Sequence, residues 1–309
     1  MTAFFKVSGS GNDFVALAEP AADPAPEQIL AWCRRGVSLG ADGVFALRRT
    51  GPRASSGGDD GGGGDDGDGD GDESGGGDDG GGAGRGAEVS MAYWNAGGDA
   101  ADLCLNGTRC AAQLAFHLGW ARREVRVHTA AGAFRARRLD AERVAIELDV
   151  EVAAPRELAV ELDGTPRAGW MVTVGVPHFL LPWTGDLDAA PVVEMGRALR
   201  WHAAFQPAGT NVDFVRFADS RRLEIRTYER GVEDETLSCG TGVVAAAALG
   251  LALGRLGGPV TAGTRGGFDL TVDRDPATGR FTLAGDARIV AAGTLLPGAS
   301  AGTPSAGPR

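Results

Sequence analysis

The sequence predicts an α+β protein built from two similar halves, and three observations carry that prediction. The chain has 309 residues, and at about 150 residues per domain that is enough for two. Many short apolar stretches of strand length are joined by only a few helical ones, without the strand–helix alternation of a doubly wound sheet. One motif also occurs twice. Cys104-Leu105-Asn106-Gly107 and Cys239-Gly240-Thr241-Gly242 each place a glycine three residues after a cysteine and continue into small apolar residues, the two cysteines lying 135 positions apart.

In chain order, the first fourteen residues predict a strand, a tight loop through Ser8 to Asp13, and a return strand through Val15 to Leu17. Residues 27–35 have the apolar spacing of a short helix packed by Ile29, Leu30 and Cys33, and Gly40-Ala41-Asp42-Gly43 turns the chain into an apolar run over 44–47. A partner strand is expected over 89–94. Strand-like stretches follow at 124–128, 143–148, 158–162, 170–174, 212–217, 223–228, 268–272, 280–283 and 287–290, with a helical rhythm over 192–201.

Between the early strands lies a tract of different composition. Residues 57–82 consist of 15 Gly, 9 Asp, 1 Glu and 1 Ser. With nothing apolar to bury, this segment reads as a disordered surface expansion. Asp66, Asp68, Asp70 and Gly71 imitate the start of a calcium loop, but the position that needs a glutamate is Gly77. The tract carries ten of the net eleven negative charges, which leaves 30 basic against 31 acidic side chains elsewhere. The acidity therefore belongs to the insert, and no basic stripe suits nucleic acid.

Cys33, Cys104, Cys110 and Cys239 are too few for a disulfide scaffold and lack the paired spacing of a zinc site, so no metal is expected. The longest apolar tract, 243–253, has 11 residues, short of a membrane span. With no signal peptide evident, a soluble cytoplasmic chain with no membrane partner is expected.

A cysteine at the first turn of a helix meets unpaired backbone N–H groups and the positive end of the helix dipole, which favour its thiolate and lower its pKa. The same N–H groups can bind a carboxylate. Two such cysteines across a cleft can treat one carbon from both faces, one removing a proton and the other delivering one, which inverts the centre. The residues alone leave open whether Cys104 and Cys239 do this or are buried structural cysteines; Cys33 and Cys110 read as structural.

The chain resembles the diaminopimelate epimerase family. The landmarks are Gly11-Asn12-Asp13-Phe14, Gly40-Ala41-Asp42-Gly43, Asn95 nine residues before Cys104, Asn106-Gly107-Thr108-Arg109-Cys110, Pro177-His178, Asn211-Val212-Asp213-Phe214, and the run from Tyr228-Glu229-Arg230-Gly231 to Cys239-Gly240-Thr241-Gly242. The resemblance implies two pseudo-symmetric domains, each a curled, mostly antiparallel sheet around a central helix. One is formed by 1–135 plus 285–300, the other by 136–284, with 301–309 a flexible tail. It implies an acid/base pair of Cys104 and Cys239, needing no cofactor, acting on an amino-acid substrate. It implies a carboxylate cradle on the backbone of Leu105, Asn106, Gly107, Gly240, Thr241 and Gly242. It implies a grip on the distal groups by Asn12, Asn95, Asn211, Glu229 and Arg230, with Arg230 suited to a carboxylate and Glu229 to an ammonium. His178 would sit in a loop at the cleft, either as a site residue or as a satisfied loop histidine. A homodimer is a family expectation.

Three departures from the family pattern bear on substrate. Val176 stands where an asparagine usually helps hold the distal carboxylate, Leu105 where glycine is usual, and Gly97 where aspartate is usual. The expected reaction is the interconversion of LL- and meso-diaminopimelate, a step toward lysine and the peptidoglycan cross-link. The alternatives are a racemase or epimerase of the same architecture for proline or hydroxyproline, a phenazine-type isomerase, and a non-catalytic relic of the fold.

Overall fold

The computed structural model describes residues 2–50 and 86–300. The Gly/Asp tract, with its calcium-loop imitation, and the tail at 301–309 lie outside the described residues.

In chain order, β1 (Thr2–Gly9), β2 (Asn12–Ala18), α1 (Pro26–Cys33), β3 (Gly43–Arg49), β4 (Glu88–Asn95), α2 (Leu105–His117), β5 (Glu124–Thr129), β6 (Gly132–Arg138) and β7 (Arg143–Glu147) come first. Then follow β8 (Arg156–Leu162), β9 (Thr165–Val174), β10 (Val176–Pro182), α3 (Val192–Arg200), β11 (Asn211–Phe217), β12 (Arg222–Glu229), β13 (Asp234–Thr236), α4 (Gly240–Ala252), β14 (Val260–Thr264), β15 (Asp269–Arg274), β16 (Phe281–Asp286) and β17 (Arg288–Leu295).

The pairings repeat. From β1 through β4 to β7, successive strands pair antiparallel, parallel, antiparallel, parallel, antiparallel and antiparallel. From β9 through β10, β11, β12, β14 and β15 to β16 the same six relations recur in the same order. In each half the second parallel pairing is bridged by a 13-residue helix, α2 or α4. Such a crossover connection is what a parallel pair requires. The outer strands also correspond, β17 lying antiparallel on β1 and β8 on β9. The halves join where β7 pairs with β16. The result is two pseudo-symmetric α+β halves, each a mixed, mostly antiparallel sheet wrapped around a central helix.

Both central helices are buried for most of their length and belong to one continuous apolar cluster. The alanine-rich faces of Ala245 to Ala248 and Ala111-Ala112 allow strands to pass close on all sides. The β1–β2 hairpin turns through Ser10 and Gly11, with φ of 53° and 91°. Two successive positive φ values suit the twist of a two-residue hairpin, and glycine adopts one without strain. That turn aims Asn12 toward the start of α2.

The structure differs from the expectations in detail. In α1 the buried face is Ile29, Trp32 and Cys33, while Leu30 is 50% exposed, because a helix returns to the same face at i+3 and i+4 and turns i+1 away. Strands β6, β10, β13 and β14 were not foreseen. His178 is not in a loop but inside β10, fully buried and in register with Asn211 of β11. Among the described residues, no helix is long and apolar enough to cross a membrane.

Candidate active site

Cys104 and Cys239 are the N-cap residues of α2 and α4, each with extended backbone (φ −141° and −116°). The Thr108 N–H donates to the Cys104 carbonyl at 2.8 Å and the Val243 N–H to the Cys239 carbonyl at 3.0 Å. Each thiol therefore hangs over a first turn whose N–H groups have no partner within the helix. Gly107 N–H donates to Cys104 Sγ at 3.3 Å, and Cys239 Sγ lies 3.3 Å from Thr241 Oγ1. The two helix starts abut. A Cβ built on Gly240 would stand 3.0 Å from Leu105 Cβ and 3.1 Å from Asn106 Oδ1, so glycine is what permits the approach. Leu105 is buried in the core and offers the site its backbone alone.

Asn106 ties this junction together. Its Nδ2 donates to Asn12 Oδ1 at 2.6 Å and to the Ser238 carbonyl at 3.2 Å, while its Oδ1 accepts from Arg109 Nη2 at 2.9 Å. Arg109, fully buried, also donates to Ser10 Oγ at 2.8 Å. Asn12 Nδ2 donates to Asp42 Oδ2 at 3.2 Å. Asn211 gives its Nδ2 to the Pro177 carbonyl and its Oδ1 accepts the Arg230 N–H. Three of the four asparagines expected at the site thus have both amide ends committed to the protein. Asn95 is the exception and lines both cavities described below.

Glu229 ends β12 and accepts a hydrogen bond from Thr236 Oγ1 at 2.9 Å. Burial pushes its carboxyl up to about 7, against the opposing pull of Thr236 and of His178. Burial likewise pushes the Cys104 thiol up to about 11, which outweighs the Gly107 N–H, and the Glu229 charge adds to the rise. Cys239 is raised well above an ordinary thiol, first by burial and then by Glu229 and Asp213. The expectation of lowered cysteine pKa values is therefore overturned: the helix termini are present, but desolvation wins over them. Glu229 is the neighbour of both thiols that titrates near neutrality.

His178 Nδ1 pairs with Asp213 Oδ2 at 2.7 Å, both side chains fully buried, and its Nε2 has no partner among the described residues. Asp213 Oδ1 accepts from Thr227 Oγ1 at 2.7 Å. A Cβ on Gly242 would lie 2.6 Å from that same oxygen, so the first turn of α4 rests on Asp213. Tyr93 was missed by sequence reasoning, although it lies beside Cys104, lines the same cavity and pulls against the rise of the thiol. The available signal was strand alternation, since Tyr93 and Asn95 stand two apart on β4 and share a face.

Two cavities meet at Asn95, Glu229 and Gly231. One, of about 460 Å³, is lined by Asn12, Tyr93, Cys104, Thr236 and Leu237 among others. The other, of about 710 Å³, is lined by Val176, Arg200, Asn211, Arg230 and Thr241 among others. Together they make a cleft walled by both halves. Cys104 lines the smaller cavity and Thr241, from the first turn of α4, the larger, while Cys239 is buried behind that turn and lines neither; Glu229 borders both and Arg230 the larger. Among the described residues, no cluster of three or more His, Cys, Asp or Glu is disposed to hold a metal ion.

The diaminopimelate epimerase family model matches residues 170–290. A diaminopimelate epimerase of Aquifex aeolicus is 32% identical over 287 residues, covering 87% of this chain and 89% of that one. One from Gemmatimonas aurantiaca is 32% identical over 308 residues, covering 94% and 98%. Among solved structures, a hydroxyproline epimerase from Agrobacterium vitis superposes with a TM-score of 0.65 at 15% identity, covering 94% and 91%. A phenazine biosynthesis protein from Clostridium difficile gives 0.61 at 10%, covering 96% and 100%. Those two likenesses are of fold. The identity and coverage of the sequence relatives show that this chain belongs to the diaminopimelate epimerase family, as a cysteine-based, pyridoxal-phosphate-independent enzyme that epimerises or isomerises a small amino-acid-like substrate.

Proposed function

We propose that the protein interconverts LL- and meso-2,6-diaminopimelate, supplying lysine and the peptidoglycan cross-link. The observation that carries this reading is the pairing of Glu229 and Arg230 in the cleft that also holds Cys104. A substrate with an ammonium and a carboxylate at its far end matches that pair.

In this reading the reacting carboxylate lies on the N–H groups of the two helix starts. One cysteine, as thiolate, takes the α-proton, and the C–H electron pair is held as a carbanion delocalised into that carboxylate. The other cysteine, as thiol, gives its proton to the opposite face and is left as thiolate. The centre is inverted and the two sulfurs have exchanged roles. Because burial keeps both thiols protonated, one of them must lose its proton before it can take the α-proton. Exclusion of water strengthens the N–H groups that hold the developing charge.

A second reading, an epimerase of an amino acid without distal charge such as proline or hydroxyproline, is favoured by Val176, an apolar side chain in the wall of the larger cavity. Incubation in heavy water with LL-diaminopimelate and separately with proline, with Cys104→Ala and Cys239→Ala as controls, tests both. Deuterium uptake with LL-to-meso conversion, lost in both variants, is expected. Uptake into proline alone would move the substrate to the second reading.

A further inference from the structure

Arg200, the last residue of α3, has no place in the roles assigned so far. It is buried, at 5% exposure, yet lines the larger cavity. Its Nε donates to Glu233 Oε1 at 3.1 Å and its Nη1 to the Ala208 carbonyl at 3.5 Å. Arg230 Nη1 donates to that same carbonyl at 3.4 Å. Two guanidinium groups from different elements therefore converge on one neutral oxygen at the cavity wall. The slot is shaped for this. Gly209, at φ +65°, leaves the space that Arg200 occupies, and a Cβ there would fall 1.6 Å from Nη1. The guanidinium also stands 4.0 Å over the Trp201 ring.

Arg200 is buried and Arg230 half-buried at the cavity's rim, and like charges converging there favour an opposite charge between them. Glu233 supplies one, bonded to Arg200 and to the Gly231 N–H, which leaves Arg230 with a carbonyl dipole as its polar partner. Planar guanidinium groups are suited to grip a carboxylate through two oxygens. We infer that Arg200 and Arg230 together form a two-guanidinium site for the distal carboxylate of a dicarboxylic substrate, Arg200 supplying the polar contact that Val176 on the same cavity wall does not. This deepens the proposed function and rests on it. Arg200 acts as a specificity-determining residue, and a monocarboxylic ligand gains nothing from it.

The test uses ligands that need no chemistry. Pimelate, a seven-carbon diacid without amino groups, and heptanoate, its monoacid counterpart, are titrated calorimetrically into wild type, Arg200→Gln and Arg200→Lys. Wild type is expected to bind pimelate at least tenfold more tightly than heptanoate. Arg200→Gln is expected to erase that difference with heptanoate unchanged, and Arg200→Lys to fall between. The KM for LL-diaminopimelate should rise tenfold or more in Arg200→Gln with kcat little altered. Equal losses for both acids, or none, would overturn the site and leave Arg200 as a brace for Glu233. Should Arg200→Gln not fold, Arg200→Lys decides, since it keeps charge and stem but loses the fork. Failure of the substrate reading is separate: wild type would then not turn over diaminopimelate, whatever pimelate does.

Discussion

Asn106 Nδ2 donates to the Ser238 carbonyl oxygen at 3.2 Å, joining the first turn of α2 to the residue before Cys239. The two thiols are thereby held in register by one amide that Arg109 orients. Asn106→Asp would keep the oxygen facing Arg109 but set the second against two acceptors, Asn12 Oδ1 and the Ser238 carbonyl. The expected cost is about 1–3 kcal/mol of stability, and inversion should fall more than deuterium uptake, because one thiol can still exchange the α-proton. Urea melts and the ratio of uptake to inversion check this; an unchanged ratio would show that Asn106 does not set the pair.

Gly242→Ala should disrupt the site from the other side. Its methyl would lie 2.6 Å from Asp213 Oδ1, and Asp213 holds His178 and Thr227 at 2.7 Å each. Relief requires a shift of α4 or of Asp213, at about 1–3 kcal/mol. A denaturation midpoint and activity both equal to wild type would contradict the contact.

Burial rather than the helix dipole should govern thiol reactivity. With Cys104 pushed up to about 11, roughly 0.1% is thiolate at pH 8, against about a quarter for an ordinary cysteine. Alkylation of Cys104 by iodoacetamide at pH 8, followed by mass spectrometry, should be about 200-fold slower than that of a free thiol and should rise about tenfold per pH unit up to pH 10. Labelling at the rate of a free thiol would refute it.

Glu229 should make stability fall with pH. Its folded-state pKa is raised, to about 7, so the folded chain binds the proton more tightly than the unfolded one. Stability from this group is complete below about 4.5 and is lost as pH rises through 7. The urea midpoint of wild type should drop between pH 5 and pH 8, and Glu229→Gln should lack that part of the drop. Parallel profiles for the two proteins would be inconsistent with the buried carboxyl.

The asparagines should separate into two kinds. Asn95→Ala removes a side chain that faces the cleft, so KM should rise tenfold or more with the melting temperature unchanged. Asn12→Ala breaks bonds to Asn106 and Asp42 and should lower stability by about 1–2 kcal/mol as well. Equal stability losses would remove the distinction.

The two central helices were legible because a cysteine, a glycine three residues on and a run of alanines recur at Cys104 and Cys239, and both copies proved to be N-caps. The depth of those cysteines was not legible. A helix start can be read from local residues, but desolvation depends on what packs over it, here Tyr93 and Glu229 from distant strands. β10 was hidden because Gly175 and Pro177 punctuate it like a turn. Pro177 is tolerated near the start of a strand, and Gly175 turns the chain at φ +67° just before it. β6 was masked by Arg135, Arg137 and Arg138, although Phe134 and Ala136 alternate inward between them. Arg200 looked like any helical charge, since nothing in its neighbours announces that Ala208 and Arg230 meet it.

The antiparallel pairing of β1 with β17, from Thr2 against Leu295 to Ser8 against Arg288, sets a timetable for the chain as it is made. β1 leaves the ribosome with one edge that is covered only by β17, which is made after all the other strands described. The second half can close on itself earlier, because every strand it pairs within itself is translated in a single stretch. Folding of the first half is therefore completed only once β17 is made, and the hairpin that aims Asn12 waits with it. Such long-range closure is slow and leaves an open strand edge exposed meanwhile.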